Sequence, residues 1–111
     1  MAGQELTLDR AIGAFSKELR HLRIRPLRIL LFGSWARREQ HEGSDIDLVV
    51  ISRDFRGKGL RRRLELLGTA AARALVPVQA LGYTPEELEA RQPGSFLDEI
   101  LSNGAVPIEN A

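Results

Sequence analysis

The stretch from Ile29 to Ile51 reads Ile-Leu-Leu-Phe-Gly-Ser-Trp-Ala-Arg-Arg-Glu-Gln-His-Glu-Gly-Ser-Asp-Ile-Asp-Leu-Val-Val-Ile. Two short apolar runs are separated by a Gly-Ser break and a polar segment. Runs of this length, rich in Ile, Leu and Val and bounded by turn residues, predict buried strands. Gly33-Ser34 then falls where the first strand ends and a short helix begins, and backbone N–H groups at such a start favour a phosphate. Asp45 and Asp47 stand two apart at the opening of the second run. Strand geometry sends both side chains out of one face, with roughly 7 Å between their Cα atoms. Two like charges side by side do not stabilise an apolar sheet. They suit a divalent cation.

Gly33, Ser34, Ala36 and Arg37, followed by Ser44, Asp45, Asp47 and Leu48, form two half-motifs. Together they resemble the signature of the DNA polymerase β-like nucleotidyltransferase superfamily, in its branch of minimal nucleotidyltransferases. That pattern is a strand, Gly-Ser-x-Ala-Arg-Gly, a variable gap, and Ser-Asp-x-Asp-Leu. The glycine that follows the arginine in the family is Arg38 here. The resemblance implies an α/β (α+β) fold: a small, mixed, twisted sheet with helices packed mainly on one face. It spans about residues 8 to 109, although only 29 to 51 carry specific motifs.

The bulk numbers set bounds around this. A chain of 111 residues is expected to form one nucleotidyltransferase-like domain over 1–111, with a single core. Its 43% apolar and 28% charged residues are ordinary for a soluble globular protein. No apolar run approaches the roughly 20 residues needed to span a bilayer, and no signal-peptide pattern opens the chain. Absence of cysteine excludes disulfides and thiolate metal sites and fits a cytoplasmic protein. A net charge of +1 makes no general case for nucleic acid.

Along the chain, Met1 to Glu5 is expected to be a loose end. Leu8, Ile12, Phe15, Leu19 and Leu22 mark an amphipathic helix capped by Thr7 and stopped by Pro26. A strand starts near Leu27, and Ser34 to about Gln40 forms a short helix or turn. Trp35 packs over that helix or offers a stacking platform. Glu39 to Gly43 reads as an exposed loop, and Asp45 to Ser52 as the second strand. Leu60, Leu64, Leu67, Ala71 and Leu75 step as a second amphipathic helix, with Arg61, Arg62 and Arg63 on a solvated face at its start. His21 and His41 read as solvated residues. Val76 to Tyr83 predicts a third strand beside the second. Thr84-Pro85-Glu86-Glu87 is a capped helix start with a capping box. Another helix runs from Ser95 to Asn103-Gly104, and Ala105 to Ile108 can add an edge strand that tolerates Pro107.

The family chemistry moves a nucleoside monophosphate from a triphosphate to a hydroxyl, so the resemblance implies Mg²⁺ (or Mn²⁺) held by Asp45 and Asp47. ATP or another nucleoside triphosphate would be held by Gly33, Ser34, Arg37 and Ser44. The family's third carboxylate, on the next strand, helps activate the acceptor. Here the aligned position is Gln79, which has an acceptor oxygen but no charge and takes up no proton. Asp54 and Asp98 are the other candidates for that role, and nothing in their spacing recommends them. Two functions follow from the resemblance: an AMP-transferring enzyme whose acceptor is a HEPN-type partner protein, or a catalytically weakened subunit that binds nucleotide or partner. A structural domain in which the aspartates are incidental is the third reading. A chain this small is also expected to complete its acceptor site with a partner or as a homo-oligomer.

Overall fold

The computed structural model describes the backbone of residues 3–108 and the side chains of residues 8–108. Helix α1 (Gly3–His21) leads into strand β1 (Arg28–Phe32), a single helical turn α2 (Gly33–Ala36) and strand β2 (Ile46–Ile51). A 3-10 turn (Arg53–Phe55) and helix α3 (Leu60–Ala74) connect to strand β3 (Val78–Tyr83). Helices α4 (Pro85–Glu89) and α5 (Phe96–Ser102) and strand β4 (Val106–Ile108) complete the order. The strands form one mixed sheet in the order β3-β2-β1-β4. β2 pairs antiparallel with β1 and parallel with β3, and β4 pairs antiparallel with β1. The fold class read from the motifs is the one observed.

Alternation in β1 and β2 divides the core into two layers. Ile29, Leu31, Ile46, Leu48 and Val50 face α1 and α3 and meet Ile12, Phe15, Leu19, Leu67 and Ala70. Leu30, Val49 and Ile51 face the other way and meet Leu97 and Ile100 of α5. The long helices therefore share one face, and the short C-terminal helices cover part of the second. Each fully buried Ile, Leu or Phe contributes about 1.5–3 kcal/mol, so the layer under α1 and α3 carries most of the apolar stabilisation.

Two helices depart from expectation. The first helix starts at Gly3, so Gly3 to Glu5 is helical rather than loose and Thr7 lies within the helix instead of capping it. Met1 and Ala2 lie outside the described residues. The short helix or turn expected from Ser34 to about Gln40 is observed as one helical turn followed by a turn, ended where Arg38 goes left-handed at φ +58°. In α3 the buried stripe is Leu66, Leu67, Ala70 and Ala71. Leu60 and Leu75, assigned to the core by their spacing, are 70% and 89% exposed. The alanines let α3 lie close against the sheet, which rotates the leucines at either end outward.

Arg63 also departs from the solvated triplet. Arg61 and Arg62 are exposed, but the Arg63 side chain is only 12% exposed. It donates to the Lys58 carbonyl (2.7 Å), the Gly82 carbonyl (3.1 Å) and both carboxylate oxygens of Glu87. Its guanidinium lies 5.6 Å from the centre of the Phe55 ring. Glu87 in turn accepts from the Thr84 N–H, and Thr84 Oγ1 accepts from the Glu87 N–H. This is the capping box expected from the sequence, tied to α3 by an arginine.

Candidate functional site

The site lies where β1 ends and β2 begins. Register sets Phe32 opposite Asp47 and Asp47 opposite Gln79. Paired residues on neighbouring strands share a face, so these three side chains form a row on the α5 side of the sheet. Asp45, one residue before β2 begins, stands at the head of this row. Its Oδ2 accepts a hydrogen bond from Gln79 Nε2 at 2.9 Å.

Gly33 explains why the first half-motif begins with glycine. Its φ is +72°, in the region that excludes most side chains. A Cβ there would also collide with Asp47 Oδ2 and lie 3.1 Å from the Asp47 Cγ. The α2 backbone and the Asp47 carboxylate are thus in direct apposition. No described residue donates a hydrogen bond to Asp47. Burial and the adjacent Asp45 charge push its carboxyl above the usual aspartate range, and nearby Arg37 pulls the other way. The result is an acceptor-rich, underneutralised spot.

The remaining motif residues are brought to the same corner with different attachments. Ser34 is half-buried at the start of α2, and its carbonyl accepts from the Glu39 N–H (2.8 Å). Arg37 pairs with Glu39 at 2.7 Å. Ser44 closes the loop: its N–H donates to the His41 carbonyl and its Oγ accepts from the His41 N–H (both 2.9 Å). Trp35 donates from Nε1 to the Ser44 carbonyl (3.4 Å) and packs on the α1 side of the core. That packing favours the structural role over the stacking platform. Arg38 occupies the family's glycine position with φ +58°, so that position calls for a left-handed backbone rather than flexibility.

Asp54 and Asp98, the other acidic candidates, are engaged elsewhere. Asp54 accepts from the Arg25 N–H (2.8 Å), and that bond holds its carboxyl below the usual range. Asp98 accepts from the Gly94 N–H (2.9 Å) and from Arg91, with the same effect. His21 faces Glu18, and the His41 ring lies beside the Glu42 carbonyl. Among the described residues no group of three or more His, Cys, Asp or Glu side chains is placed to hold a metal.

A cleft of about 470 Å³ opens beside the row, lined by Phe32, Asp47, Gln79, Leu64, Leu67 and Phe96 among others. Phe96 is 64% exposed and Leu64 43%. Neither stood out in the sequence, where Leu64 belonged to the core stripe and Phe96 to a helix start. Their signal is topological. They reach the site only because β3 is an edge strand flanked by α3 and α5.

The profile of the family described as "Nucleotidyltransferase domain" matches residues 12–102, most of the chain. The fold is similar to a crystal structure of a nucleotidyltransferase candidate from Sulfolobus solfataricus. That alignment has a TM-score of 0.54 and 15% identity, covering 90% of this chain and 83% of the other. No curated protein matches the chain. Among the described residues no helix is long and apolar enough to cross a membrane.

Proposed function

We propose a function from one premise, that the chain belongs to the nucleotidyltransferase domain family. The reaction is transfer of a nucleoside monophosphate, AMP from ATP, to a hydroxyl, with Mg²⁺ or Mn²⁺ as cofactor. The acceptor oxygen bonds to the α-phosphorus, the bond from that phosphorus to the β-phosphate bridging oxygen breaks, and pyrophosphate leaves. The hydroxyl proton passes to solvent or to the leaving group. The observation that carries the reading is the apposition of Gly33 and Asp47 beside Asp45. It joins the two half-motifs into one corner.

The donor set fits a hard divalent ion. Asp45 and Asp47 would hold the ion through carboxylate oxygens, the hard donors that Mg²⁺ and Mn²⁺ prefer, with triphosphate oxygens and water as the remaining ligands. When bound, the cation screens charge on the phosphoryl oxygens as it develops. The chain's own part is positioning. Asp45 and Asp47 set the depth of the triphosphate, Ser34 and the N–H groups around it receive terminal phosphate oxygens, and Arg37 offsets their charge. Ser44 holds the loop that leads into Asp45.

Gln79 favours a second reading, a nucleotide-binding or partner-binding subunit with weakened catalysis. It stands at the register position beside Asp47 and takes up no proton. Loss of a general base costs roughly 10²–10⁴-fold in rate. Calorimetric titration with ATP, with and without Mg²⁺, tests the shared part. Metal-dependent binding that disappears in Asp45→Ala/Asp47→Ala supports the site, and no binding by the wild type at millimolar ATP refutes it. Pyrophosphate release by wild type and Gln79→Asp then separates enzyme from binder.

For the acceptor we propose a protein partner, a helical HEPN-type protein as the family resemblance implies, or a second copy of the chain. The exposed Phe96, Leu64 and Leu60 beside the cleft support a protein surface there. Light scattering over a range of concentrations checks self-association, and full activity in a strict monomer without partner ends this part.

A further inference from the structure

Gln79 does more in this site than vacate a carboxylate position. Its side chain shares the face of Asp47 by register, yet its amide reaches Asp45 and donates to Oδ2 at 2.9 Å. We infer that Gln79 is a positioning residue that pins Asp45 and restricts the site to one divalent cation, taken up together with the nucleoside triphosphate. The inference rests on the nucleotide reading above and deepens it.

Three consequences of the geometry support this. First, the pinned oxygen of Asp45 already spends a lone pair on the amide, so Oδ1 is the better ligand atom and its direction is set before any ion arrives. Hydrogen bonds that orient a metal-binding carboxylate act in this way. Second, the trio Asp45, Asp47 and Gln79 carries a formal charge of −2, and one dication neutralises it. A second dication lacks a protein carboxylate, since no third acidic side chain is placed nearby among the described residues. Third, the Gln79 amide meets Asp45 with a donor, where a carboxylate at 79 would set a third negative charge beside Asp45 and Asp47. Further anionic oxygens for the cation must therefore come from the triphosphate, which makes uptake of the two interdependent.

Manganese titrations followed by electron paramagnetic resonance test this, using a non-hydrolysable ATP analogue. The wild type is expected to bind Mn²⁺ weakly alone and one Mn²⁺ per chain with the analogue. Gln79→Asp is expected to take a second Mn²⁺, visible as a spin-coupled pair, and to bind Mn²⁺ at least tenfold tighter without nucleotide. Gln79→Ala keeps the one-ion stoichiometry but binds it about tenfold more weakly, the scale for loss of an orienting partner. Gln79 is exposed on the edge strand, so these variants fold, which circular dichroism verifies. Two ions in the wild-type complex, or Gln79→Asp no tighter than wild type for Mn²⁺ alone, overturns the inference. Failure of the wild type to bind the analogue strikes the nucleotide reading instead, and the nucleotide-free comparison still decides the role of Gln79.

Discussion

Replacing Gly33 by alanine probes the contact that joins the two half-motifs, and its cost divides into parts that can be separated. The backbone term comes from φ +72°, where a side chain costs about 1–2 kcal/mol. The contact term comes from the new Cβ meeting the Asp47 carboxylate, with Oδ2 in collision and Cγ at 3.1 Å. The carboxylate is the free end of the side chain, so it swings aside rather than forcing the backbone, which costs about 0.5–1.5 kcal/mol for a displaced rotamer. Alanine also restricts the unfolded chain, which returns about 0.4–1 kcal/mol. That return and the φ term are common to any background. Gly33→Ala should therefore cost more in the wild type than in Asp47→Ala by about 0.5–1.5 kcal/mol. Urea unfolding of the four proteins, followed by far-ultraviolet circular dichroism, yields this coupling. Nucleotide binding should suffer beyond the stability loss, because the swung carboxylate leaves the site. Equal costs in the two backgrounds would refute the claim that Gly33 and Asp47 are packed together.

Other perturbations have equally definite outcomes. Arg38→Gly should stabilise the fold by roughly 0.5–1 kcal/mol, since φ +58° strains an arginine and suits glycine, less the entropy glycine adds to the unfolded chain; thermal unfolding checks it. Asp47→Asn should stabilise the metal-free protein at neutral pH. A raised carboxyl pKa makes the folded state the better proton binder, so stability falls as pH rises from the ordinary aspartate range through the raised value. The gain should therefore vanish below that window, and cation-dependent ATP binding by the wild type should weaken as pH falls through it. Gly82→Ala should cost about 1–3 kcal/mol by overpacking, because a Cβ there meets the buried Phe55 ring at 2.6 Å; denaturant titration measures it. Ser16→Ala should be neutral or stabilising, since its buried hydroxyl has no hydrogen-bond partner among the described residues.

Most of the fold was legible because the decisive signals are local. Thr84-Pro85-Glu86-Glu87 specifies its own cap, and the alternation of Ile46, Leu48 and Val50 against Asp47, Val49 and Ile51 assigns faces without tertiary knowledge. The pairing of Gln79 with Asp47 was reachable too, since β2 and β3 align in parallel without offset or bulge. What escaped was set by packing between distant segments. The α3 spacing allows a leucine stripe, but two alanines admit a closer approach and the helix rotates onto them. Arg63 reads as one of three arginines until Gly82, Glu87 and Phe55 are brought to it. The start of α1 was hidden because Gly3 to Glu5 lacks a capping signal. In the site, Gly33 was present as a letter of a motif and Arg38 as a departure from it, but the reason for both positions is a backbone angle. No residue type announces that angle unambiguously.

The Ser44 turn has an evolutionary and practical consequence. The polypeptide between Glu39 and Gly43 leaves α2 and returns through the paired His41–Ser44 hydrogen bonds, while Trp35 fastens Ser44 from the core side. The turn is closed between His41 and Ser44, so its tip at Glu42 and Gly43 is decoupled from the chemistry at either side. Added residues would extend into solvent, and each doubling of length costs only about 0.6 kcal/mol in closure entropy. Lineages can lengthen or shorten this segment without moving Gly33 relative to Asp47. The same property marks it as the place to graft a tag or epitope while leaving the corner intact.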